Sequence, residues 1–177
     1  MKTPSNSREV QTIAELFDLH AGAVYAYLLR LSGDAALADD LANETFYRAM
    51  LAIGGFRGDA SVRTWLLKIA RNLYLNRLKR ERRTTSLESL LEQGMAFPAP
   101  QPGPEAEAVN REGGEALQRA LLSLSETDRS ILLLASQERL PYGEIAQVTG
   151  LTVTAVKVRI FRARQRLACA MEVENKP

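Results

Sequence analysis

One cysteine, one histidine and one tryptophan in 177 residues leave little material for several kinds of chemistry. Cys169 by itself excludes an internal disulfide and a cysteine-rich zinc site, which suits a reducing compartment. Between Leu167, Ala168 and Ala170 it reads as a small packing residue on a last helix. His20 has neither a second histidine nor a nearby cysteine, so it reads as a packing or surface residue and not as a metal ligand. Asp39, Asp40 and Glu44 lack a histidine partner, and no glycine-rich phosphate loop is present. No enzyme, cofactor, metal site or small-molecule substrate is therefore expected. No signal peptide and no apolar run of bilayer length occur, so a soluble cytoplasmic protein without direct membrane insertion is expected. Segments of strand period and internal repeats are also missing, which leaves an all-α fold.

The formal net charge of +2 hides an uneven distribution. Residues 1–83 hold thirteen Lys and Arg against nine Asp and Glu, residues 84–115 one against six, and residues 116–177 nine against six. Two basic ends flank an acidic middle, and two small helical domains fit that pattern better than one.

In the first third, Ile13, Leu16, Phe17, Val24, Tyr27, Leu28 and Leu31, preceded by Val10, recur at helical spacing and predict one or two helices ending near Ser32 and Gly33. Asp34 is placed to cap the next helix, whose apolar set is Leu37, Leu41, Phe46, Ala49, Met50 and Ile53. Gly54 and Gly55 end it, and Asp59 or Ser61 can cap the helix after the loop. That helix, from 62 to about 83, has a buried stripe of Leu66, Ile69, Ala70, Leu73 and Leu78 among many cations. Trp65, Asn72, Tyr74 and Asn76 are interleaved with them, the residue types that stack on unpaired bases or read their edges. For Trp65 a core position is the competing reading.

Residues 84–113 change character. GMAFPAPQPGPEAEAVN combines four prolines, two glycines and scattered acids, which predicts a mobile linker. Its acidity either competes with nucleic acid for the basic ends or serves solubility. Beyond it, Ser125 and Asp128 have the spacing of a capping box that opens a helix through Ile131, Leu132, Leu134 and Ala135. Ile145, Val148, Leu151, Val156 and Ile160 then suit two short helices buried together, with Gly150 at the turn and Thr152 as cap. This is a helix-turn-helix pattern. Its second helix carries Lys157, Arg159, Arg162, Arg164 and Arg166 with no acidic residue between Thr152 and Met171, a concentration that a phosphate backbone calls for.

In this order the pieces resemble a bacterial sigma factor of the extracytoplasmic-function class. DDLANETF resembles the family's polymerase-docking segment, FRGDASVRTWLLKIARN its promoter-opening segment, and YGEIAQVTGLTVTAVKVRIFRARQRL its helix-turn-helix. The resemblance implies an amino-terminal region 2 domain (1–83), a linker (84–113) and a carboxyl-terminal region 4 domain (114–177). It implies that Asp40, Leu41, Asn43, Glu44 and Phe46 bind core RNA polymerase, with Asn43 where most members have glutamine. Phe56, Ser61, Trp65, Lys68, Arg71, Asn72 and Arg77 match the segment that captures the melted minus-ten element. Lys157, Val158 and Arg162 match readers of the minus-thirty-five duplex, while Thr154, Arg159 and Arg164 are assigned to its phosphates. Val158 stands where a small hydroxyl residue is common, so contact with a thymine methyl is expected in place of a hydrogen bond. The implied partners are core RNA polymerase, promoter DNA and an anti-sigma factor. A stand-alone helix-turn-helix regulator is the rival reading, and it leaves DDLANETF without a role.

Overall fold

The computed structural model describes residues 13–91 and 108–174. Seven α-helices occur among them: α1 (Ile13–Ser32), α2 (Ala35–Ala52), α3 (Val62–Leu91), α4 (Ala108–Leu122), α5 (Glu126–Ser136), α6 (Tyr142–Thr149) and α7 (Val153–Glu174). No strand occurs among the described residues.

The helix boundaries follow from local chemistry. The Asp34 side chain accepts from the Leu37 amide at 3.0 Å and so starts α2. Ser61 accepts from the Thr64 amide at 3.1 Å at the start of α3. Ser125 accepts from the Asp128 amide at 3.2 Å, but the Asp128 carboxylate does not return to the cap; it turns toward α7, so the box is half formed. Gly150 takes φ 72° between α6 and α7, and Thr152 accepts from the Ala155 amide at 3.2 Å. Helix α3 outruns its expected end near 83 and continues to Leu91, because TTSLESLL holds no proline or glycine to stop it. The expected linker thus loses 84–91 and 108–113 to helices, and its Pro-rich stretch lies outside the described residues.

Helices α1, α2 and α3 pack on one another around Val24, Tyr27, Leu28, Leu31, Leu66 and Leu67, all fully buried. Helices α4, α5, α6 and α7 pack around Ile131, Leu134, Ile145, Val148 and Val156. These two groups are joined: α5 lies on α1, α6 lies on α3, and the buried apolar residues form one continuous cluster. Some expected core positions differ. Met50 is exposed on the far side of α2, and Cys169 is exposed on α7, because α7 runs past its packing partners before that residue.

Two backbone sites carry the clearest stability expectations. Gly33 takes φ 73° between α1 and α2, and a Cβ there would come within 2.9 Å of Leu122 Cδ1. Gly33→Ala is expected to cost about 1–2 kcal/mol, read as a fall in Tm of about 2–4 °C per kcal/mol in thermal unfolding. Arg139 takes φ 53° just after α5, where the Leu140 amide donates to Leu134 O at 3.0 Å. Relief of that left-handed strain means Arg139→Gly raises Tm in the same assay.

Candidate nucleic-acid interface

Helix α7 presents a cationic face with no acidic residue before Glu172. Val156, Ile160 and Ala163 point into the core, which turns Thr154, Lys157, Val158, Arg162 and Arg164 to solvent. Phe161, an aromatic residue 63 % exposed in the middle of this face, is a candidate contact that sequence reasoning passed over. Its signal was present, since Phe161 falls out of phase with the stripe formed by Val156, Ile160 and Ala163. An open cleft of about 520 Å³ runs beside the start of α7. It is lined by Asp128, Thr152, Thr154, Val158, Arg159 and Arg162 among others. Arg159 is held in it by Asp128 at 2.8 Å, whereas Arg164 lies farther along the helix and lines a different groove.

A second cleft, of about 440 Å³, opens between loop 56–61 and the first turns of α3. Phe56 and Trp65 pack on each other along its wall, with ring centroids 5.0 Å apart and planes at 40°, and Lys68 and Arg57 supply charge. Two aromatic faces with cations beside them suit an unstacked base and its phosphate. Phe56, Trp65 and Lys68 are thus brought together, while the Ser61 hydroxyl is taken up by Thr64 and Glu144. Trp65 is half-buried, packed against the core and lining the cleft. Asn72 and Arg77 are exposed farther along α3, and Arg77 pairs with Glu81 at 2.6 Å, which raises its pKa. Arg71 and Tyr74 are buried, and neither faces solvent in this arrangement.

On α2, Asp40 and Asn43 are exposed, and Glu44 pairs with Arg48 at 2.7 Å. Leu41 and Phe46 are inside; Phe46 meets the Phe17 ring edge-on with centroids 4.8 Å apart. The apolar groups that α2 offers to a partner are instead Tyr47, Met50 and Leu51, all more than 40 % exposed.

Two family profiles cover these surfaces: Sigma-70 region 2 matches residues 16–84, and Sigma-70 region 4 matches residues 114–167. The RNA polymerase sigma factor YlaC of Bacillus subtilis is 30% identical over 88% of this chain and 90% of its own length. The chain belongs to the extracytoplasmic-function sigma factors. The ECF sigma factor SigE of Mycolicibacterium smegmatis is 36% identical over 86% of this chain, which spans 59% of that longer protein. The sigma factor RpoE of Bartonella quintana, solved in complex with the anti-sigma factor NepR, shares the fold. It aligns with a TM-score of 0.74 and 22% identity, over 92% of this chain and 98% of that one. Like its family, this sigma factor works on core RNA polymerase and promoter DNA to start transcription.

In the closed arrangement of this sigma factor, α5 and α6 meet the region 2 helices along a polar seam. Ser130 is fully buried at its centre, 2.7 Å from the Tyr27 hydroxyl and 3.0 Å from Arg71 Nε, which donates to it. Burial pushes the Tyr27 pKa far up and lowers that of Arg71. Buried Arg129 donates to Leu31 O at 2.5 Å, the end of α1, and to Leu122 O and Leu124 O at 3.2 and 3.0 Å, at the end of α4. At the start of α3, Thr64 donates to Glu144 of α6 and Arg63 pairs with buried Glu138; farther along, Arg82 pairs with Glu126. His20, half-buried near Arg63, has its pKa lowered by burial and by that charge.

The seam separates two substitutions that remove one hydroxyl each. Tyr27→Phe leaves Ser130 bonded to Arg71 and is expected to cost about 1 kcal/mol. Ser130→Ala leaves the Tyr27 hydroxyl and Arg71 Nε both unpartnered in the interior, and the larger loss, about 2–4 kcal/mol, is read by urea unfolding.

Proposed function

We propose that this sigma factor reads two promoter elements with two separate surfaces and performs no covalent chemistry. Region 2 (1–83) docks on polymerase through Asp40, Asn43, Glu44 and the exposed face of α2, and captures melted minus-ten DNA. Region 4 (114–177) holds the minus-thirty-five element as duplex, and residues 84–113 tether the two. The observation that carries this reading is the cleft walled by the Phe56–Trp65 ring pair and edged by Lys68 and Arg57, whose outer aromatic surface suits a base removed from its stack. Lys157, Val158 and Arg162 read base edges, Val158 through a thymine methyl, with Phe161 beside them. Thr154 and Arg164 contact phosphates. Arg71 joins the minus-ten contacts only when the seam is open, because Ser130 otherwise holds it.

Linking two modest readers on one enzyme raises specificity through effective concentration, so neither surface has to bind tightly alone. We also propose a cytoplasmic location and control by an anti-sigma factor. The exposed Tyr47, Met50 and Leu51 suit such a partner, and the Bartonella relative was solved with one.

The test is runoff transcription with bacterial core polymerase on a pool of random promoter-length DNA, with sequencing of the transcripts. Start sites that share two short upstream motifs are expected. Trp65→Ala should abolish selection of the downstream motif, Arg162→Ala should weaken the upstream one by about 10-fold, and Glu44→Arg should abolish the protein-dependent transcripts altogether. Tight duplex binding without polymerase, and no effect on transcription, would instead identify a stand-alone regulator.

A further inference from the structure

Asp128 lines the cleft beside α7 but has been given no role in reading DNA, and it is a buried carboxylate with two cationic partners. It lies in the first turn of α5, 6 % exposed. Oδ1 accepts from Arg159 Nη1 at 2.8 Å and Oδ2 from Arg166 Nη1 at 3.2 Å. Those arginines are seven residues apart, two turns of α7, so they fall on one side of that helix. The carboxylate has no capping duty: in a full capping box it would accept from the Ser125 amide, but both its oxygens are turned to α7 instead.

We propose that Asp128 is a positioning residue that sets how strictly the upstream element is read, by tying up Arg159 and Arg166 beside the reading face of α7. The proposal rests on α7 being the helix that reads the upstream duplex. One carboxylate between two guanidinium groups leaves the three with a net charge of +1 instead of +2. Arg159 and Arg166 remain 42 % and 63 % exposed, so DNA phosphates compete with Asp128 for them. Lys157 and Arg162, by contrast, form no salt bridge among the described residues and stay available to base edges. The effect is selective: sequence-independent attraction falls while base contacts are kept, and specificity is the difference between the two. The arginine rotamers are fixed as well, so Arg159 enters the cleft shared with Thr154 and Val158 in one geometry.

The experiment uses holoenzyme assembled from full-length protein and core polymerase. Its affinity is measured for two duplex promoters, one intact and one with a scrambled upstream element, from 50 to 200 mM salt. Asp128→Asn is expected to bind the scrambled DNA more tightly and to lower the intact-to-scrambled ratio. The slope of log affinity against log salt should steepen by about 0.9, so that the variant loses about 3.5-fold more affinity than wild type across that range. Adding Arg159→Gln alone to Asp128→Asn restores the local charge of +1 and should bring slope and ratio back toward wild type. Asp128→Ser, also tolerated in a first helical turn, repeats the test with a different side chain. An unchanged slope and ratio in both Asp128 variants overturns the proposal. Weaker binding to both DNAs at an unchanged slope overturns it too, since that is the signature of a merely displaced α7. Wild-type holoenzyme that does not distinguish the two DNAs would defeat the reading of α7 itself, a result seen without any Asp128 variant.

Discussion

A single hydroxyl, that of Ser130, sits where α5 crosses both α1 and α3, and the arrangement of the two halves depends on it. A buried hydroxyl between a tyrosine and an arginine is satisfied in only a narrow set of orientations. Apolar contact between Leu28, Leu31, Leu132 and Leu133 would hold the halves together in many registers. Tyr27 from α1 and Arg71 from α3 converge on Ser130 from different helices, which selects one of them. The stability of the closed form is thus shared between nonspecific burial and a polar contact that contributes mainly uniqueness.

Arg129, next in sequence, shows the same division of labour. Its guanidinium meets carbonyl oxygens at the ends of α1 and α4, where helix dipoles leave partial negative charge. No acidic residue is needed to keep it there. Adjacent residues of one helix therefore fasten it to region 2 by two independent means, and both arise from the α5 face that an isolated region 4 would have to leave in water.

Local features were legible in the sequence because their causes are local. Asp34, Ser61 and Thr152 cap helices and Gly150 turns the chain, since each acts through its own backbone and the next three residues. The apolar periods placed Val156 and Ile160 inside and left Lys157 and Arg162 outside for the same reason. Positions set by the packing of one half on the other were not legible. Arg71 and Tyr74 look like members of an exposed cationic and aromatic face until α5 covers them. Within region 2, Leu41 and Phe46 were legible as core by their period; α1 buries both, and the docking role implied by resemblance is left to the exposed side of α2, where Tyr47, Met50 and Leu51 lie. Asp128 was legible as a capping residue by spacing, but its partners are 31 and 38 residues away, beyond the range of any periodicity argument.

Helix α3 is 30 residues long, about 45 Å of unbroken rod, and it touches the other half at three stations. Thr64 meets α6, Arg71 meets the middle of α5, and Arg82 meets the first turn of α5. Nothing between Thr64 and Arg82 can act as a joint, because that stretch contains neither glycine nor proline. The stations therefore act in parallel along one stiff lever about 27 Å long. Force applied at either end is delivered to the other, and parting becomes an all-or-none event instead of a gradual peeling.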